Sequence, residues 1–222
     1  MSQHGAPLLA RLRCGAIALA VCTLIGGCQT RSDVRSRAVV ELHEPGWRDM
    51  LQSADQARLL AIETSWATAL EQARRGGFTR RIASEGALLD PRAGLSRAEP
   101  APGSYRCRLI RIRPGSRRLP ALVIRGPYFC DVGASPELLS LSQQTGPERP
   151  SGHLWEDSDS RMVFIGAAAH GREGSPPAYG DRADRNVVGV FERVGQFRYR
   201  LVVPAPESGA TLEILELIPA LI

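Results

Sequence analysis

What most constrains this chain is a run of short apolar stretches that fills its second half. They fall at 104–113, 121–132, 137–143, 152–156, 161–168, 187–194, 197–203 and 211–218, and turn chemistry such as "RPGS", "GASP", "EDSDS" and "RVGQ" separates them. About eight short strands at hairpin spacing predict an antiparallel barrel or sandwich. The barrel is preferred, because closure removes exposed sheet edges. In "FRYRLVV", Phe197, Tyr199, Leu201 and Val203 alternate with Arg198 and Arg200, which predicts one buried and one wet face. In "YRCRLIRIR" the alternation slips between Leu109 and Ile110, the pattern of a bulge.

Upstream the period changes from two to that of a helix. "SADQARLLAIETSWATALEQARRGG" opens with Ser53 and Gln56 in capping-box spacing and closes on Arg74, Arg75 and Gly76-Gly77. Leu59, Ile62, Trp66, Ala69, Leu70 and Ala73 share one face, so a helix over 54–75 must lie against something apolar. "EGALLDP" predicts a further helical turn stopped by Pro91, and "RAEPAPG" (97–103) a linker. The expected fold class is α+β: helices over 46–96 packed on the outside or one end of an antiparallel β-barrel over 104–222, with a β-sandwich as the alternative.

The first 27 residues carry a different signal. Arg11 and Arg13 precede "CGAIALAVCTLI", twelve uncharged residues, too short to span a bilayer, which takes about 20. A basic region, a short apolar run and small residues read as a secretory signal peptide. In "LIGGCQT" (24–30) the order apolar, small, small, Cys resembles the lipobox of bacterial lipoproteins. That resemblance implies acylation of Cys28, cleavage before it, and a polar tether over 28–45 between lipid and domain. Gln29, where an Asp would favour inner-membrane retention, implies an outer-membrane destination facing the periplasm. Two or more acyl chains would make the anchoring stable.

Loss of residues 1–27 would lower the formal net charge from +5 to +3, an excess too mild to suggest nucleic acid as a partner. All 28 basic residues are Arg, so a cluster of Arg carries less meaning here than in a chain that also uses Lys. Cys107 and Cys130 are the cysteines left for the folded domain, and an exported chain meets an oxidising compartment, which predicts a disulfide between them. The rival reading, a metal pair, lacks further ligands at a useful spacing.

The strings "EGALLDP", "YRCR", "TGPERPSGHLW", "VFIGA", "AYGDRADRNVVGVFER", "FRYRLVVPAPES" and "LEILELIPA" resemble a domain-of-unknown-function family of Gram-negative envelope lipoproteins, from about residue 47 to the C-terminus. The resemblance implies an exported single-domain protein and brings no activity with it. A topological likeness, one early disulfide-linked hairpin followed by antiparallel strands, is to small barrel inhibitors of secreted metalloproteases; fold does not settle function.

No GxSxG, HExxH, CxxC or phosphate loop is present, so no catalytic residue, metal or cofactor is assigned. His43, His153 and His170 have no metal-ligand spacing, and "DSDSR" (157–161) reads as a hairpin turn rather than a calcium loop. Nothing places Glu85 and Asp90 on a shared cleft. Two polar groups remain. Six Arg between 106 and 118 read as a solvated strand face, or as a surface for phosphate, an acidic glycan or a partner's carboxylates. Arg149, Tyr179, Asp181, Arg182 and Arg185, in "TGPERPSG" and "AYGDRADRNVVG", are candidate binding residues at one barrel end, with an ion-paired closing loop as the alternative.

The leading functional reading is an exported envelope lipoprotein that works by binding. Its expected partners are the membrane through its lipid and an envelope protein or anionic glycan. A structural accessory of the envelope, or a hydrolase of an envelope glycan or ester, are the alternatives. An accessible apolar barrel interior favours the first, a packed interior with a flat exposed patch the second, and a cleft of convergent, desolvated carboxylates the third.

Overall fold

The computed structural model of the protein describes residues 46–135 and 138–220. Cys28 and the stretches expected to be a signal peptide and a tether lie outside the described residues. Four helices come first: α1 (Trp47–Met50), α2 (Ser53–Leu60), α3 (Ile62–Arg75) and α4 (Thr79–Glu85), followed by a 3-10 turn at Gly86–Leu89. Eight strands follow: β1 (Gly103–Ile112), β2 (Leu122–Ala134), β3 (Leu139–Gln143), β4 (Glu148–Ser158), β5 (Arg161–His170), β6 (Asn186–Gly195), β7 (Arg198–Pro204) and β8 (Leu212–Pro219). Each pairs antiparallel with the next, and β8 closes on β1 from Tyr105–Pro219 to Ile112–Leu212. The expected α+β fold with a C-terminal antiparallel barrel is the one observed.

The strands are apolar on both faces for two different reasons. Tyr105, Cys107, Leu141, Leu154, Phe164, Phe191, Leu201 and Leu217 fill the lumen. Ile110, Ile112, Leu122, Val202, Leu212 and Ile214 face outward and meet Trp66, Ala69, Leu70, Ala73, Leu88 and Leu89 of the helical segment. This explains the break in "YRCRLIRIR". Alternation along β1 is continuous, but its apolar duty passes from the inner face (Tyr105, Cys107, Leu109) to the outer one (Ile110, Ile112). The real register shift lies nearby, between Cys107 and Leu109. Their partners are Tyr128 and Arg125, so β2 carries one extra residue: Gly126 and Pro127 stand opposite Arg108 alone.

Three sequence expectations change. The 54–75 helix is two helices, bent at Ala61, which takes φ −85° and ψ 7°. Ser53 is not its cap, because Gln52 occupies that position without a side-chain bond. The bend lets α2 follow β6 while α3 covers β1, β7 and β8. Second, "TGPERPSG" is mostly strand: β4 begins at Glu148. Pro150 lies beyond the last β3 pair, Ser142–Ser151, so its missing N–H costs no bond on that side. Third, the wet face expected of "FRYRLVV" is dry at Arg200 and the expected inner residue Phe197 is 64 % exposed in the β6–β7 turn.

Arg200 is fully buried between barrel and helices. Its Nε donates to Glu192 Oε2 (2.7 Å), and its Nη1 donates to the carbonyls of Ala87 (3.0 Å), Leu88 (3.0 Å) and Asp90 (2.8 Å). The guanidinium also lies 5.0 Å from the Trp66 ring centroid. One side chain thus gathers three carbonyls around the end of the 3-10 turn, and for Leu88 it supplies the donor that a helix end leaves missing.

The Cys107–Cys130 disulfide is formed and joins β1 to β2 inside the lumen. Closing a loop of 23 residues contributes about 3 kcal/mol in the chain-entropy treatment. At the end where β4 turns into β5, Ala98 is buried against the lumen and its N–H donates to Asp159 O (3.1 Å). The Tyr105, Tyr199 and Phe191 rings pack together there, at 6.1 and 5.7 Å between centroids. That end is closed. Replacing Arg200 by Met is expected to cost about 3–5 kcal/mol, because it strands the Glu192 carboxylate and the Leu88 carbonyl under the helices. Chemical denaturation measures it, with Arg75→Ala, at an exposed pair with Glu71, leaving the midpoint nearly unchanged.

Candidate functional site

At the opposite end of the barrel the side chains that reach inward become smaller, and a cavity of about 440 Å³ remains. This lies within the roughly 300–1,000 Å³ common for small-molecule sites. Leu109, Val187, Leu201, Val203 and Leu215 form its apolar wall. Glu148 and Glu213 add two carboxylates, and Gln143, His170, Asp184, Arg185, Asn186, Glu207 and Ser208 complete the polar lining. Nearby, β4 and β5 are paired Gly152 to Gly166, where a Cβ on Gly152 would sit 2.2 Å from Ile165 O. Only glycine permits that approach of two strands.

The inner polar group is built on Arg111, which projects inward from β1 and is buried. Its Nε donates to Glu213 and its Nη2 to Glu148. Ser208 Oγ also donates to Glu213 Oε1, at 2.8 Å. Burial pushes the Glu213 carboxyl up, against the pull of Arg111. Gln143 Nε2 donates to Thr145 O (2.7 Å) and Glu148 O (3.0 Å), which fixes the tight turn into β4.

The loop residues singled out from sequence do gather at this end, but most of their polar atoms hold the loops together. Arg149 donates to the carbonyls of Gly146 (3.0 Å), Gly171 (2.7 Å) and Glu173, tying the β3–β4 turn to the β5–β6 loop. Arg185 grips both Glu173 oxygens (3.1 and 2.9 Å) and borders the cavity. The His170 N–H and then Arg185 hold the Glu173 carboxyl below its usual range. Arg182 pairs with Asp184 in the exposed part of the loop, and Asp181 is exposed beside it. Tyr179 turns away from the cavity: its hydroxyl donates to buried Asp55 on α2 and accepts from Gln52 N (3.0 Å). Asn186 joins the same cluster through Nδ2, to Gln52 Oε1 and Asp55 Oδ2, both at 3.0 Å.

The Arg-rich segment of β1 divides likewise. Arg108 pairs outward with Glu85 and Glu216, Arg111 pairs inward, and Arg106, Arg117 and Arg118 are exposed. Glu85 is therefore committed to Arg108 and Arg81, and Asp90 accepts from Arg92 N, so the two share no cleft. His153 is exposed on β4, and His43 lies outside the described residues. Among the described residues no group of three His, Cys, Asp or Glu is placed to hold a metal ion.

Sequence reasoning missed Arg111, Glu148 and Glu213. A signal was present in "LEILELI", where Glu213 and Glu216 interrupt a stretch that is apolar on both faces. An ionised residue in such a stretch must find a buried partner, and Arg111 and Arg108 on the adjoining strand are those partners.

A family model for a domain of unknown function, DUF4893, matches residues 47–217, and the chain belongs to that family. No curated protein and no solved structure matches the chain.

Burial, then the bond to Asp55, pushes the Tyr179 hydroxyl up to about 12, and burial pushes Tyr105 to about 12 as well. A phenol whose folded value is raised stabilises fully below the unfolded value of about 10 and loses that contribution as pH rises toward 12. Stability should therefore fall between about pH 10 and 12. In Tyr179→Phe the fall should be shallower, though the protein starts less stable at pH 8. Urea denaturation across this range decides; parallel profiles would contradict the role given to Tyr179.

Proposed function

We propose that this DUF4893 protein is a binding module of the cell envelope, held to the outer membrane through lipid at Cys28, that takes a small ligand with an apolar body into the open end of its barrel. The observation that carries this reading is the half-filled lumen: aromatic side chains close one end, while about 440 Å³ remains at the other. A barrel of eight strands is just wide enough either to be filled by side chains or to hold one small ligand. An apolar wall with a few convergent polar groups is the usual make-up of a ligand site. The Arg residues first expected to capture an anionic glycan or an acidic partner are mostly paired within their own loops, which moves the binding role from rim to lumen.

The Glu148–Glu213 pair favours a second reading, a hydrolase. One carboxyl is raised by burial and the other is more solvated, the asymmetry of an acid and a base. Arg111 works against it, because its guanidinium pulls against the rise of the Glu213 carboxyl.

Titration of the purified protein with N-phenyl-1-naphthylamine, a neutral dye that brightens in apolar surroundings, tests the binding reading. The native protein should bind it. Val187→Trp, at a half-buried wall position, should weaken binding by about tenfold or more, since bulk in the cavity removes the site. An unchanged far-UV spectrum checks the fold. No binding, or equal binding by the variant, would overturn the proposal. Metabolic labelling with a tagged fatty acid tests the anchor: label should be lost in Cys28→Ala, and retention would exclude Cys28 as its attachment point.

A further inference from the structure

The ligand's charge can be read from the cavity. Four carboxylates line it, on Glu148, Asp184, Glu207 and Glu213, against one guanidinium, that of Arg185. Most of these charges are settled locally. Asp184 is met by Arg182, Arg185 by Glu173, and Glu207 lies 3.7 Å from Arg58. Glu148 and Glu213 differ, because both draw on the single guanidinium of Arg111. Arg111 does not line the cavity itself; it borders a smaller adjoining one of about 210 Å³ together with Arg125 and Glu148. The carboxylates therefore face the ligand space and their counter-charge stands behind them. Glu148 Oε1 and Glu213 Oε2 have no hydrogen-bond partner among the described residues, whereas Glu148 Oε2 and Glu213 Oε1 are engaged.

Arg111 is the guanidinium bonded to both carboxylates, while Arg125, on the rim of the smaller cavity, is exposed and makes no ion pair with either, so the pair holds one negative charge beyond its bonded counter-charge when both are ionised. At Glu213, whose side chain is only 12 % exposed, such a charge is poorly solvated, and a cation or a strong donor placed beside it relieves the cost. A carboxylate or phosphate ligand would add a like charge at the same place.

Building on the binding reading above, we infer that the cavity is selective for a cationic amphiphile: a protonated amine directed at Glu148 and Glu213, with its hydrocarbon body against Leu109, Leu201, Val203 and Leu215. The apolar wall calls for a hydrocarbon, and the charged wall fixes which end goes in first. The hydrocarbon wall beside the carboxylates suits an organic cation, and among the described residues no group of three ligating side chains is placed to hold a metal. The sign is the opposite of that suggested by the Arg-rich loops in the sequence.

Direct calorimetric titration of the purified full-length protein with octylamine, octanol and octanoate at pH 7 tests the inference, because these three share a chain and differ in head group. Octylamine is expected to bind at least about tenfold tighter than octanoate, with octanol between them. Glu148→Gln, at a side chain 38 % exposed and so tolerant of change, should weaken octylamine about tenfold and leave octanol nearly unaltered. Octanoate binding as tightly as octylamine, or an unchanged octylamine affinity in Glu148→Gln, would overturn the inference. Displacement of octylamine by millimolar calcium would also overturn it, by making the site one for a metal ion. If octanol and the neutral dye bind but the amine gains nothing, the cavity remains a binding site and only the charge selectivity fails. If none of the three ligands nor the dye binds, both readings fall.

Discussion

A guanidinium buried between a barrel and its helical cover sets the terms for this structure. Arg200 brings several donors into a space without water, and an unpaired charge there would be strongly destabilising. The carbonyls of Ala87, Leu88 and Asp90 and the carboxylate of Glu192 take up those donors. The path of the chain between α4 and β1 is fixed as a result. From that point the segment crosses the lower end of the barrel, where Ala98 packs into the lumen and Leu95 pairs with Arg193. Cover and plug follow from the same anchoring.

The plug determines where a ligand space can exist. With Tyr105, Tyr199, Phe191 and Ala98 packed together at one end, the lumen is closed there. At the other end Ala168, Val187 and Val203 are too small to meet across it. The rim loops are held by Arg149 and by the Asp55–Tyr179–Asn186 cluster, so the opening is braced from two sides. Much of the polar machinery at this end is therefore scaffold, and the part that faces the empty space is the carboxylate pair on Arg111.

The sequence showed strand positions well because a strand with one apolar face has a plain period of two, and all eight expected strands are present. It showed the helical face of Trp66, Ala69, Leu70 and Ala73 for a similarly local reason, and the Cys107–Cys130 bond because these two cysteines are the ones left for the folded domain. What it concealed was the second apolar face. Ile110, Ile112, Val202 and Ile214 are dry because helices cover them, and a pattern of alternation cannot separate a face covered by a helix from one that a bulge has turned inward. Arg200 read as wet for the same reason: an Arg beneath a helix and an Arg in water occupy the same place in the pattern. Rim residues were legible because loops between strands collect at barrel ends. Their internal pairing was not, since it depends on contacts such as Asp55 with Tyr179, 124 residues apart.

The claim that binding takes place inside the barrel can be tested on single strands, because neighbouring residues on β7 and β8 face different compartments. Methyl chemical shifts followed by NMR during titration with octylamine should move at Leu201, Val203 and Leu215, which look into the lumen. They should stay in place at Val202 and Ile214, which look toward the helices. Movement confined to the lumen set is the predicted result. Movement at the helix-facing set, or on both faces alike, would place the ligand outside the barrel and contradict the lumen as the site.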